Sequence, residues 1–330
     1  MKRIIELLPG VFIVMALLAG CSSDSSSEEA GEEDGGTPSE ISFGAATEGG
    51  FWYTLAGAMS DKMTEIYPDS STSIIEGGSI SNLLGLGQGT YHIAFSNGQT
   101  VPEALNGENQ FEEPITNVST VATLYPNVLH LVVREDSDIY SIEDLAGKTV
   151  SPGIKGYSGE LAFQDVLETV GMSYDDLSGI EYVGTSDAAD LLRDGHIDAI
   201  SNMLAAPAST IQELDTTLGI RLIPIGEEIA SALHDKNEGY LEYTIEAGTY
   251  PNQEEDIVTT AGYTVLLTNN DLMSEEDIYE LTKMIVEERE AWENISPVMA
   301  EFDAEYSAEN NVGVLHPGAE KYYKEVGALE

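Results

Sequence analysis

Apolar and polar positions fall in alternating blocks along this chain, short strand-like runs changing places with stretches of helical spacing. The apolar run from Ile41 to Ala45 predicts a short strand. Leu55, Met59, Met63 and Ile66 then recur at helical intervals and predict a helix from about Trp52 to Ile66. A second strand is expected from Ser71 to Ile75, and Ser79 fits the N-cap of a helix carrying Ile80, Leu83 and Leu84. The stretch from Tyr91 to Ser96 is strand-like again. From Val128 to Val133 the side chains are almost continuously apolar, as in a strand buried on both faces.

The second third repeats the theme. A strand ends at Ser151, and a helix from Ser158 to Val170 places Phe163, Val166, Leu167 and Val170 on one face. Strand from Glu181 to Val183, helix from Ser186 to Leu192 and strand from Asp198 to Ser201 follow. The run from Tyr263 to Thr268 is another buried strand, and Ser274-Glu-Glu-Asp277 is a capping box opening a helix through Ile278, Leu281 and Ile285. Alternation of this kind predicts an α/β fold with largely parallel sheets. There is also an internal echo: Gly89 and Gly195 each close a helix, and three residues later His92 and Asp198 each stand just before a strand.

The front of the chain breaks this pattern. Lys2 and Arg3 precede an apolar stretch from Leu7 to Ala19, too short to span a bilayer, so residues 1–20 are expected to be a signal peptide. It ends Leu18-Ala19-Gly20-Cys21, which resembles the lipobox of bacterial-type lipoproteins and implies cleavage before Cys21 and acylation of its thiol. Cys21, the only cysteine, is thus the expected lipidation site and membrane anchor; the alternative is a buried N-terminal strand with an incidental cysteine. Residues 21–40, rich in Ser, Glu and Gly, carry no large apolar side chain and are expected to be a solvated tether.

Composition changes the picture chiefly through charge. The 330 residues include 59 Asp+Glu against 13 Lys+Arg, a formal net charge of −46. Nucleic-acid binding needs basic side chains to displace counterions from phosphates, and that class is excluded; so is a basic patch on anionic lipid. Self-repulsion this large is relieved at about 1 M salt, where the Debye length shrinks to roughly 3 Å, which points to a salt-rich habitat.

Candidate enzyme chemistry does not assemble. Gly85-Leu-Gly87-Gln-Gly89 follows a helix and precedes a strand, the reverse of a phosphate cradle, and reads as a helix C-terminus. Gly156-Tyr157-Ser158-Gly159-Glu160 lacks the closing glycine of a nucleophile elbow. The five histidines are scattered and none stands at ligand spacing to another, so neither a metal nor a cofactor is expected.

Three loop-to-helix junctions are better candidates. Glycines there let backbone N–H groups approach a ligand, and a helix N-terminus favours an anion such as a carboxylate. The first holds Glu48, Gly49 and Gly50 before Phe51, Trp52 and Tyr53; Phe51 and Trp52 suit a pocket wall or the core equally, and Tyr53 is assigned to the site. The second, Gly77 and Gly78 before Ser79, Ile80, Ser81 and Asn82, offers two hydroxyls and an amide. The third holds Lys155, Gly156, Tyr157 and Ser158, where Lys155 is either a counter-charge for an anion or a solvated loop lysine.

Taken in order, these segments resemble the TAXI family of solute-binding proteins of TRAP-type (tripartite ATP-independent periplasmic) transporters. Gly49-Gly-Phe-Trp-Tyr53 is similar to the family's Gly-Gly-Thr-Tyr-Tyr-like motif, and Glu76-Gly-Gly-Ser-Ile-Ser-Asn82 to its Thr-Gly-Gly-Ser-x-x-Asn. Asp144-Leu-Ala-Gly-Lys-Thr-Val-Ser151, Asp194-Gly-His-Ile-Asp-Ala199, Ala206-Pro207, Ala247-Gly-Thr-Tyr-Pro251 and His316-Pro-Gly-Ala-Glu-Lys-Tyr-Tyr323 continue the match across residues 41–328. The chain departs at Tyr157 in the family's Gly-Ser-Gly-Thr turn, at His92 where the family has an acid, and at Ser96-Asn97-Gly98-Gln99 where an aspartate is common.

The resemblance implies a two-lobed periplasmic-binding-protein fold of type II-like architecture, with the ligand between lobes that close by a hinge. Lobe I would comprise residues 41–127 and 264–330, and lobe II residues 128–263, with crossovers from Val128 to Arg134 and from Thr260 to Thr268. It further implies a small carboxylate ligand such as glutamate or 2-oxoglutarate and a fused TRAP-type permease as partner. Gly50, Phe51, Trp52, Tyr53, Ser79, Asn82, Ser96, Asn97, Lys155, Gly156, Tyr157, Ser158, Ala206 and Pro207 are the candidate contacts. A ligand sensor for a signalling partner is the alternative function, and an enzyme on the same scaffold is a third.

Overall fold

The computed structural model describes residues 36–330. The expected signal peptide, Cys21 and the expected tether up to residue 35 lie outside the described residues. Ten strands form one sheet: β1 (Glu40–Gly44), β2 (Ser71–Ile75), β3 (Ile93–Asn97), β4 (Val118–Arg134), β5 (Thr149–Ser151), β6 (Gly179–Ile180), β7 (Ala199–Ala205), β8 (Ile220–Leu222), β9 (Leu241–Ile245) and β10 (Ile257–Asn269). Their order is β2-β1-β3-β10-β4-β7-β5-β6, with β8 on β4 and β9 on β10. The helices are α1 (Phe51–Ile66), α2 (Ser79–Gly87), α3 (Thr100–Asn106), α4 (Ser158–Thr169), α5 (Thr185–Arg193), α6 (Ser209–Thr217), α7 (Glu227–Lys236), α8 (Glu275–Glu287), α9 (Arg289–Ile295), α10 (Ala304–Glu309) and α11 (Pro317–Glu325).

Two strands are too long to belong to one half of the molecule. β4 runs 17 residues and β10 runs 13, and they pair antiparallel from Val118 to Val128 against Asn269 to Ala261. The C-terminal part of β10 also takes β3 as neighbour, while its N-terminal part takes β9. The C-terminal part of β4 pairs with β7 and β8. Each long strand therefore contributes to two parallel-stranded halves, one built on β1, β2 and β3, the other on β5, β6 and β7.

Each half has its own core. In the first, Phe43, Ile93, Phe95 and Leu266 meet Leu55 and Met59 of α1, Ile285 of α8 and Trp292 of α9 on one face, with Ala94, Val265 and Leu267 against Leu83 and Leu86 of α2 on the other. In the second, Leu129, Leu131 and Val133 pack with Phe163 and Leu167 of α4 and Leu233 of α7, whereas Val128 and Val132 pack with Leu192 of α5 and Leu214 of α6. Alternate residues of one strand enter opposite layers, so the unbroken apolar run from Val128 to Val133 is what two-sided burial requires.

The echo at Gly89 and Gly195 has a structural counterpart. Both glycines are left-handed (φ +71° and +72°), ending α2 and α5 and turning the chain into β3 and β7. His92 Nδ1 then accepts the Ser42 N–H of β1 at 3.1 Å, and Asp198 Oδ2 accepts the Thr149 N–H of β5 at 2.7 Å. Different side chains satisfy the equivalent backbone donor in the two halves.

Some expectations need correction. Ser79 is the first residue of α2 rather than its cap; Gly78 is the N-cap, its N–H donating to Ser81 Oγ at 2.9 Å. β6 lies at Gly179–Ile180, two residues ahead of the expected strand, because it is the Thr149–Val150 pair of β5 that fixes its register. The tether ends earlier than residue 40: the Thr37 hydroxyl bonds the Asp277 carboxylate, Ser39 O accepts the Ser71 N–H at 3.0 Å, and Glu40 already belongs to β1. The Ser274–Asp277 capping box forms as expected, with reciprocal bonds of 3.1 and 3.2 Å.

Candidate functional site

Five helices of at least nine residues start at the rim of one cleft of about 880 Å³. Gly50, Phe51 and Trp52 open α1, Ser79 opens α2, and Tyr157 and Ser158 open α4. Thr185 and Ser186 open α5, and Ala208, Ser209 and Thr210 open α6; all of them line the cleft. The first turn of every α-helix leaves backbone N–H groups unpaired and carries about half a positive charge, so five such turns make a positive field without a formal cation. No lysine or arginine lines the cleft among the described residues; its charged members are Glu48 and Asp187.

The floor is a chain of neutral hydrogen-bonding groups. The Trp52 Nε1–H donates to Thr264 Oγ1 at 3.2 Å, and the Asn127 amide donates both to that hydroxyl and to Asn97 Oδ1 at 2.9 Å. Asn97 in turn donates through its amide to the Ser158 hydroxyl, and its backbone N–H reaches Ser79 Oγ at 3.3 Å. Asn97, at the end of β3, thereby joins the N-termini of α2 and α4, one from each half. Tyr157 crosses the cleft too, its hydroxyl donating to Gly77 O at 2.6 Å. Burial, helped by the charge of Glu76, raises the pKa of Tyr157, and burial raises that of Tyr125, so both phenols keep their protons.

Of the candidate contacts, Gly50, Phe51, Trp52, Ser79, Asn97, Tyr157, Ser158 and Pro207 line the cleft together. Phe51 and Trp52 serve both roles weighed for them: they form wall, and they pack on the first core, Phe51 5.4 Å from the Tyr125 ring and Trp52 5.9 Å from Phe95. The structure does not bring Tyr53, Asn82, Ser96, Lys155, Gly156 or Ala206 to the wall. Asn82 is fully buried and donates to Ala45 O and Phe95 O, both at 2.8 Å, bracing β1 against β3 beneath the cleft. Ser96 points away from Asn97 and bonds Thr100 Oγ1 at 2.7 Å. Lys155 is exposed, with its ammonium 5.5 Å from the Tyr182 ring. The Gly156 N–H is taken by Glu160, and Ala206 lies between two lining residues at the cis Ala206–Pro207 bond.

The sequence reading missed Tyr125, Asn127, Thr185, Ser186, Asn202, Ser209 and Thr210. Gly184-Thr185-Ser186 was visible in principle, being a glycine–hydroxyl junction like the three singled out. Behind the wall, α6 is held by a buried relay. The Ala208 N–H donates to the Tyr250 hydroxyl at 3.0 Å, which donates to His130 Nε2 at 2.6 Å. Since Val128 O can only accept, His130 Nδ1 carries the proton shared with it at 2.8 Å, and the ring is neutral. Burial pushes the His130 pKa down to about 4.

Residues 43–327, nearly the whole described chain, match the sequence model of the NMT1-like family. The chain belongs to that family. Among solved structures, this NMT1-like chain is similar to PhnD1 from Prochlorococcus marinus in complex with methylphosphonate, with 12% identity, TM-score 0.52, and 89% of this chain against 100% of that one covered. It is also similar to the periplasmic aliphatic sulphonate binding protein SsuA from Escherichia coli, at 15% identity, TM-score 0.46 and coverage of 88% and 84%. A putative L-cystine ABC transporter protein from Listeria monocytogenes matches at 16% identity, TM-score 0.47 and coverage of 79% and 94%. The first likeness establishes the fold: the NMT1-like chain has the two-lobed α/β architecture of periplasmic binding proteins.

Proposed function

We propose that this chain is an extracytoplasmic solute-binding protein, anchored through a lipid on Cys21, that captures a small organic anion by closure of its two lobes. The observation that carries this reading is the convergence of five helix N-termini, two from one half and three from the other, on a single cleft floored by amides and hydroxyls. Unpaired N–H groups facing one another across a gap suit a ligand with acceptor oxygens at both ends. A glutamate- or 2-oxoglutarate-like carboxylate meets that description. The lobes would be residues 41–127 with 264–330, and 128–263, hinged where β4 and β10 cross, and the closed form would pass its ligand to a fused TRAP-type permease, as in the TAXI proteins the sequence resembles. In this reading the chain binds its ligand without transforming it, which suits a cleft lined by amides, hydroxyls and helix starts.

The test is thermal unfolding of the full chain in high-salt buffer against a panel of small carboxylates and amino acids. A ligand at about 100 times its Kd stabilises the fold by roughly 2.7 kcal/mol, which a melt resolves. One strong upward shift of Tm with a carboxylate is the expected result. No shift with any of them, from well-folded protein, overturns the organic-anion reading.

A further inference from the structure

We infer that the opposite face of the hinge carries a second ligand site, an aromatic pocket for an organic ammonium ion. On β4, Tyr125 and Asn127 face the cleft described above, so Pro126 between them faces the other side; on β10, Thr264 bonds Trp52 in the cleft and Tyr263 faces away. On that far side Pro126 and Tyr263 line a separate pocket of about 500 Å³ together with Tyr243 of β9, Tyr306 of α10, Glu242 and Glu301.

Three half-buried tyrosines, from the paired strands β9 and β10 and from α10, thus meet in one concavity. The Tyr263 and Tyr306 rings stand 6.0 Å apart at 86° and make a corner, and Tyr263 is held there by its hydroxyl on Asn310 Oδ1 at 2.5 Å. The π face of a tyrosine attracts a cation, most effectively a weakly hydrated one that leaves water readily. Glu301 supplies the counter-charge: its field reaches all three phenols, adding to burial in raising their pKa values. Among the described residues neither Glu301 nor Glu242 is paired with a lysine or arginine. His234, also on the lining, has Nδ1 committed to Tyr240 O at 2.6 Å. A pocket of this volume walled by three tyrosines is too wide for a bare metal ion and fits a methylated ammonium group.

Tetramethylammonium chloride is the probe, titrated into the full chain with sodium chloride adjusted to hold ionic strength at 1 M, and Tm is the readout. Saturable stabilisation beyond that of sodium chloride alone is expected. Glu301→Gln, at an exposed position, should weaken the apparent affinity about fivefold, and Tyr243→Leu should weaken it at least as much. Tyr243→Phe, which keeps the π face, should bind like the parent. Equal responses to tetramethylammonium and sodium, or a response unchanged in both Glu301→Gln and Tyr243→Leu, overturns the site. Neither result bears on the carboxylate panel, whose ligand would occupy the other face of the sheet.

Discussion

Gly78 decides whether Tyr157 can reach across the cleft. A methyl group at position 78 would stand 2.8 Å from the Tyr157 ring, well inside contact distance, and the ring cannot give way without leaving Gly77 O. Gly78→Ala is therefore expected to free Tyr157 and to weaken binding of the best carboxylate about tenfold, the equivalent of one lost hydrogen bond. Calorimetric titration checks it, and an unchanged Kd removes Tyr157 from any role in closure. The glycine pair and Ser79 were legible from sequence because glycines before a hydroxyl at a helix start have few other uses. Asn127 was not, since it sits inside an otherwise strand-like stretch; only the polar break after Tyr125 and Pro126 hinted at it. Asn82 shows the opposite error. An amide next to a glycine-rich turn has the right chemistry for a ligand, but its position one turn into α2 aims it at the carbonyls of two buried strands.

The helix start is the unit from which the cleft is built, and its placement depends on what holds its first turn. Three of the five converging helices were recognised by their glycine-rich entrances; α5 starts after a lone glycine before two hydroxyl residues and α6 after a proline turn, both weaker signals than a glycine pair. What fixes α6 is the Ala208–Tyr250–His130 relay, which joins residues far apart in sequence and so could not be read from local pattern. It carries a pH dependence. His130 titrates near 6.5 when unfolded and near 4 when folded, so between those values the unfolded chain binds more protons and stability falls as pH falls. The full contribution is present above pH 6.5 and about 3 kcal/mol of it is lost by pH 4. His130→Gln keeps a side chain able to accept from Tyr250 and should lose that part of the slope. Denaturant unfolding of both proteins from pH 4 to 7 tests this; parallel curves would show that His130 does not titrate as its burial requires.

For the whole molecule the α/β class and the alternation of elements were legible, because two-sided burial leaves an unmistakable apolar run. The expected largely parallel sheets were not found: β4 and β10 pair antiparallel with each other and with β3, β7, β8 and β9. The single continuous sheet was not legible, since pairing of β4 with β10 joins residues more than 130 positions apart. The net charge of −46 acts at this scale as well. It repels an anionic ligand from a distance, while the local field of the helix starts attracts it at contact. Screening removes the first and spares the second. Carboxylate affinity should consequently rise, or hold steady, from 0.1 M to about 1 M salt; a steep fall would mean that a surface cation, not the helix starts, holds the ligand. The crossing strands also impose an order of assembly. Residues 135–256 lie wholly between β4 and β10, so most of the second half, with the part of β4 that it packs on, precedes β10 in the chain. The first half has to wait, because its central strand, β10, and the helices α8 to α11 that cover it follow that stretch in the chain. The half that is first in sequence is thus the last to be completed, and until then β3 and the N-terminal part of β4 present open edges to whatever else is nearby.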